Sequence, residues 1–213
     1  MMEYVKPDEI EERSFAIIRS GLSQPLDPAL APVIMRVIHT TADFCYAESM
    51  AFSEGVIERA AAVLRQGAMI VSDTHMVEAG VDRPRLHALG GEIHCYISDG
   101  DVAEAARQSG LTRARVAADK AAEQAAATGG PLIFAIGNAP TALLRICEMK
   151  EAGICSPALV IGVPVGFVNV VESKEMLMRS GIPYITARGR KGGSNVAAAI
   201  CNALLRISVA SCM

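Results

Sequence analysis

The chain has 213 residues, 51% of them hydrophobic, and a formal net charge of -3 at pH 7. That length and apolar content suit one α/β domain with a sizeable buried core and exclude a disordered chain. Interspersed acids and bases argue against a general nucleic-acid-binding protein, and 4% aromatic content without Trp leaves few stacking platforms for single strands.

The acidic start, residues 1–13, holds no apolar run of the signal-peptide kind. No uncharged apolar stretch is continuous enough to span a bilayer, and the richest, residues 158–171, is broken by Gly162, Pro164 and Gly166. A soluble, cytoplasmic protein with no membrane partner is expected. Pro7 and Asp8 open a helix that carries Ile10, Ser14, Ile17 and Ile18 near one face and ends at Gly21. Asp27-Pro28 reads as an N-cap followed by proline in the first turn of a second helix, through Val33, Met35, Ile38 and His39. A third helix covers residues 54–66 and stops at Gly67.

From residue 68 the hydrophobic period changes. Short apolar runs at 68–71, 93–97, 132–136, 158–161 and 183–187 have the character of strands buried on both faces. Helical segments at 73–79, 101–120 and beyond, 141–152, 173–180 and 194–207 separate and follow them. This alternation predicts an α/β fold, a three-layer doubly wound, mostly parallel five-stranded sheet of flavodoxin-like type. Residues 1–67 are expected to form a mainly helical extension and 68–207 the α/β core of a single domain spanning 1–213.

In open α/β sheets ligands bind beyond the carboxyl ends of the strands. Those ends carry Ser72-Asp73-Thr74-His75, Ser98-Asp99-Gly100, Gly137-Asn138-Ala139-Pro140, the glycine- and proline-rich run from Gly162 to Asn169, and the basic run from Arg188 to Ser194. Glycines and free N–H groups ahead of a helix make the basic run a candidate anion site, although it matches neither a P-loop nor GxGxxG. Asn138 can cap the helix that Pro140 opens, so that segment reads equally well as structural punctuation. The chain holds 15 Arg against 5 Lys. Their planar forks match carboxylates, and codon bias explains the excess just as well.

His39 stands near a helix end beside Thr40 and Thr41. A helix C-terminus favours imidazolium, which makes such a histidine a usable acid, but lone histidines are more often packed or solvated. The six cysteines, Cys45, Cys95, Cys147, Cys155, Cys201 and Cys212, form no CxxC pair and no zinc-spaced cluster. Most of them read as small buried hydrophobes in a reducing compartment, and no protein metal site is expected.

Taken in series, several segments resemble the precorrin-8X methylmutase family, including its cobalt-precorrin-8 members. They are Arg13 through Ile18, Val37 through Phe44, Asp73 through Gly80, Ala135 through Ala142, Gly162 through Val168, Glu172-Ser173-Lys174, and Arg188 through Ser194. The resemblance implies an isomerase of corrin (cobalamin, vitamin B12) biosynthesis that moves a methyl group from C-11 to C-12 of a tetrapyrrole, a [1,5]-sigmatropic shift, giving hydrogenobyrinic or cobyrinic acid. No cofactor is implied, because the methyl migrates within one molecule and any cobalt arrives inside the substrate. By motif match His39 is the catalytic acid, with Ser14 and Thr40 positioning the ring or the imidazole. Arg113, Arg188 and Lys191 are expected to bind substrate carboxylates, and Gly166 and Phe167 to line the flat face. The family is dimeric, so a homodimer is expected, and the run from His39 to Phe44 is more similar to the early-cobalt branch. A nucleotide- or phosphate-dependent enzyme on the same sheet, a tetrapyrrole carrier without turnover, and a structural subunit are the competing readings.

Overall fold

In a computed structural model that describes residues 5–7 and 9–210, the chain alternates helices and strands as its hydrophobic periods require. Asp8 and Cys212 lie outside the described residues. The N-terminal part gives α1 (Ile10–Gly21), α2 (Ala31–Thr41), α3 (Tyr46–Ser49), β1 (Met50–Phe52) and α4 (Val56–Leu64). The middle gives β2 (Met69–Ser72), α5 (His75–Gly80), α6 (Arg83–Ala88), β3 (Glu92–His94), α7 (Gly100–Ser109) and α8 (Arg113–Thr128). There follow β4 (Leu132–Ile136), α9 (Pro140–Glu151), β5 (Leu159–Gly162), α10 (Val170–Arg179), β6 (Tyr184–Ala187) and α11 (Ser194–Ala210).

The strands form one sheet in the order β1-β6-β5-β4-β2-β3. The five parallel strands follow the 2-1-3-4-5 order of flavodoxin-like folds. The expected count of five is corrected to six. The extra strand, β1, pairs antiparallel with β6 and lies within the segment expected to be helical.

Each central strand feeds two cores. Along β4, Leu132, Phe134 and Ile136 enter one cluster with α8, α9 and α10, while Ile133 and Ala135 enter the other with α2, α4 and α11. Alternate residues of a strand face opposite sides, so an unbroken apolar run is what a strand covered on both faces demands. This gives the three layers, and the N-terminal helices share a core with the sheet and α11.

Other departures have local causes. The long helix expected from residue 101 is two. Gly110 takes a left-handed conformation and closes α7, and the Thr112 hydroxyl accepts the Arg115 N–H to open α8. Asp27 caps a turn instead of the helix itself. Its carboxylate accepts the Ala29 N–H, and α2 begins at Ala31. No described helix is long and apolar enough to cross a membrane.

Candidate active site

The carboxyl ends of β2, β4, β5 and β6 converge along one edge of the sheet. At the centre, Asp73 leaves β2 and is only 5% exposed. Its Oδ1 accepts the Gly137 N–H at 2.9 Å, and its Oδ2 accepts those of Asn138 and Ala139 at 2.8 and 2.6 Å. Burial pushes this carboxyl upward, while the three backbone donors favour the charged form. Three converging donors require an acceptor, so the carboxylate is the form that fits them. Asp73 thus holds the turn ahead of α9; the cap expected of Asn138 is not made, since α9 has no side-chain cap, and Pro140 occupies its first turn as expected. β2 and β4 are the neighbours at which the strand order reverses, the usual ligand crevice of such sheets. Here the crevice donors are already filled by the chain's own carboxylate, which counts against a nucleotide or phosphate in that place. The Thr74 and Ser194 hydroxyls, 2.9 Å apart, tie the same junction to the start of α11.

The loops after β5 and β6 fasten to one another. Gly166 N–H donates to the Arg190 carbonyl at 3.2 Å, and Gly193 N–H donates to the Val163 carbonyl at 2.9 Å. The φ of Gly166 is 138°, a conformation that side-chain-bearing residues rarely adopt. At Gly192 a Cβ would run into the carbonyl oxygen of Val163. Gly192→Ala is therefore expected to shift this loop and cost about 1–3 kcal/mol. Thermal unfolding checks this, and an unchanged Tm would mean that the two loops are free to separate. Phe167 stands 85% exposed, with the Arg190 guanidinium 5.9 Å from its ring centroid.

His39 and Thr40 lie in the last turn of α2 and are exposed. The imidazole meets the Phe15 ring of α1, centroids 5.5 Å apart and planes tilted by 59°. The Arg36 guanidinium sits 4.8 Å from the same ring and is held by Glu11 through two bonds of 2.9 Å. Ser14 precedes Phe15, and its hydroxyl donates to the Ile10 carbonyl at 2.7 Å. α2 closes on Ala42, which has a φ of 53°, a left-handed state that costs a non-glycine residue about 1–2 kcal/mol. The next residue, Asp43, accepts a hydrogen bond from Lys191, which holds the Asp43 carboxyl below its ordinary range.

The residues singled out in the sequence thus fall into groups. His39, Thr40 and Ser14 belong to the α1–α2 pair. Gly166, Phe167, Arg188 and Lys191 belong to the fastened loops, and the Asp43–Lys191 pair joins the two groups. Arg113 opens α8, whose cap Thr112 bonds Thr141 of α9 at 2.8 Å, beside the loop that Asp73 holds. Lys191 is already paired. The side chains of Arg113 and Arg188 are exposed and make no hydrogen bond or ion pair among the described residues.

Concavities of about 250 to 400 Å³ occur on the protein, and none of the five described is lined by His39, Arg113, Arg188 or Lys191. One of about 310 Å³ abuts the α1–α2 group, lined by Phe15, Arg19, Met35, Arg36 and Arg206 among others. Ligand atoms of His75, Glu78 and Cys95 lie within 4.8 Å of one another, but both ring nitrogens of His75 are engaged, with Glu78 at 2.8 Å and Ser98 at 3.0 Å.

Sequence reasoning missed Asp73 and Lys174 as individual residues, although both lie in segments it had marked. The available signal for Asp73 was a carboxylate at the carboxyl end of a buried strand, directly after its Met-Ile-Val run and Ser72.

Residues 9–207 match the family model described as precorrin-8X methylmutase. The cobalt-precorrin-8 methylmutase of Priestia megaterium is 45% identical over 94% of this chain and 88% of the relative. That of Salmonella typhimurium is 43% identical over 96% of this chain and 97% of the relative. A crystal structure of the precorrin-8X methylmutase of Thermus thermophilus superposes with a TM-score of 0.85, at 38% identity, covering 96% of this chain and 97% of that one.

Proposed function

Because the chain belongs to the precorrin-8X methylmutase family, whose reaction is a methyl shift from C-11 to C-12 of a corrin precursor, we propose that it performs this shift with His39 as the acid. It is an isomerase of cobalamin biosynthesis. The observation that carries the His39 assignment is its exposure in the last turn of α2, four residues before the Asp43 that pairs with Lys191 of the basic loop.

A [1,5] methyl shift needs no external nucleophile, because the migrating carbon leaves one ring atom as it joins the next. What the protein can add is polarisation of the conjugated system. A proton donor at a ring nitrogen or near the migrating centre does this, and general acid assistance typically contributes about 10²–10⁴-fold. The substrate is broad, flat and edged with acetate and propionate groups. The forks of Arg113 and Arg188 take carboxylates, and Lys191 joins them by exchanging Asp43 for substrate. Gly166 and Phe167 supply an apolar face, and Ser14 and Thr40 set the ring against His39.

The exposed Phe167 fits a homodimer in which a second copy covers the bound tetrapyrrole. Residues 1–213 act as one methylmutase domain in the cytoplasm, where the exposed thiol of Cys45 stays reduced. Cobalt-precorrin-8 is the substrate we favour, the one in the names of the Priestia and Salmonella relatives, whereas the Thermus structure carries the precorrin-8X name.

Incubation of the purified protein with precorrin-8 and with cobalt-precorrin-8, followed by absorption spectroscopy and NMR of the product, tests this reading. The expected result is the methyl at C-12, formed faster from the cobalt-bearing substrate. Faster turnover of the metal-free substrate would reverse the preference. Tight binding with no migration of either would leave a carrier in place of an enzyme.

A further inference from the structure

The basic loop after β6 rests on a lysine that no part of the proposed reaction uses. Lys174, on α10, is 1% exposed. Its ammonium donates to the carbonyls of Gly189 at 2.9 Å and Lys191 at 2.7 Å. No carboxylate pairs with it among the described residues. The carbonyl between them, on Arg190, accepts the Gly166 N–H. Three successive carbonyls of the loop are therefore fixed by Lys174 and Gly166, while Arg188, Arg190 and Lys191 are exposed.

We propose that Lys174 is a positioning residue for substrate binding: its buried ammonium pins the backbone of residues 189–191 so that the neighbouring basic side chains meet the tetrapyrrole carboxylates in a fixed arrangement. Packing alone does not call for a lysine here. A methionine or leucine would fill the space without burying a charge, which is costly unless hydrogen-bonded. Burial pulls the Lys174 ammonium down to about 8, a sign of that cost. A compact cation with three donors serves two carbonyls of one loop in a way that no apolar side chain can. Held in advance, the loop does not have to be ordered by the ligand, and affinity gains accordingly.

The inference rests on the reading that this loop binds substrate carboxylates, so its test carries a separate arm for that reading. Steady-state kinetics with cobalt-precorrin-8 are compared for Lys174→Met, Lys174→Arg and Arg188→Ala, with amide hydrogen exchange measured across residues 188–193. Lys174→Met is expected to raise KM about tenfold, equivalent to 1.4 kcal/mol of binding, with kcat changed less than about twofold and loop amides exchanging faster. Lys174→Arg, which keeps the donors and the charge, should recover part of the loss. A folded Lys174→Met protein with wild-type KM, or one whose kcat falls while KM holds, overturns the assignment. Should Lys174→Met not fold, Lys174→Gln retains an amide donor and is read in its place, with an intermediate KM expected and a wild-type KM fatal to the idea. An unchanged KM in Arg188→Ala would instead remove the carboxylate-loop reading itself. A raised KM there with none in Lys174→Met would remove only the role of Lys174.

Discussion

Replacing His39 with alanine is expected to slow methyl migration by about 10²–10⁴-fold while leaving the fold in place. The two effects separate because of where the side chain stands. His39 is exposed, so truncation opens no cavity in the core. Among the described residues its ring meets only Phe15, at 5.5 Å, and such pairs contribute about 0.5–1.5 kcal/mol, so the loss of stability should be small. Substrate affinity should also survive, since the carboxylates are assigned to the arginines and to Lys191. Single-turnover absorption kinetics, taken beside a thermal melt and a binding titration, distinguish the three quantities. Wild-type turnover in His39→Ala would end the acid role and turn attention to Thr40 and the N–H groups of the strand-end loops. Loss of binding equal to the loss of rate would make His39 a substrate contact instead.

The parts of this molecule that were legible in the sequence are those governed by local pattern. β2, β4 and β5 are covered on both faces, so each appears as a run of apolar residues whatever lies beside it. The α7–α8 break was written in Gly110-Leu111-Thr112, a C-cap glycine followed by an N-cap threonine, and was hidden by the helix formers on either side. α6 follows the same rule, with Asp82 accepting the Arg85 N–H and Pro84 in the first turn. β1 was not legible. Met50-Ala51-Phe52 is three residues long, and what makes it a strand is pairing with Ile185 through Ala187, far along the chain. The site divides in the same way. Glycine- and arginine-rich strand ends declare themselves by composition, and His39 stood out only within a run of neighbours. The burial of Asp73 and Lys174 is created by tertiary packing, and a charged residue in a sequence carries no mark of it.

Asp73 is where that hidden burial should have its largest consequence. Asp73→Ala removes the only acceptor among the described residues for the N–H groups of Gly137, Asn138 and Ala139 in this crevice. A buried donor left without a partner costs about 1–3 kcal/mol, so three together set a range of about 3–9 kcal/mol. The lower part of that range, about 3–5 kcal/mol, is the better guide, because water admitted to the vacated space can serve some of the three donors. For a chain of this length 1 kcal/mol corresponds to roughly 2–4 °C in Tm, so a fall of about 6–20 °C is expected in calorimetry. Asp73→Asn should help little. The amide keeps one carbonyl oxygen but turns N–H groups toward donors, so at least one pairing becomes repulsive. The damage should also reach function, since the loop that Asp73 holds leads into α9, where Thr141 bonds the cap of the helix that presents Arg113. A variant with wild-type Tm would mean that the crevice donors have an alternative partner. In that case Asp73 would no longer stand in the way of a phosphate in the crevice.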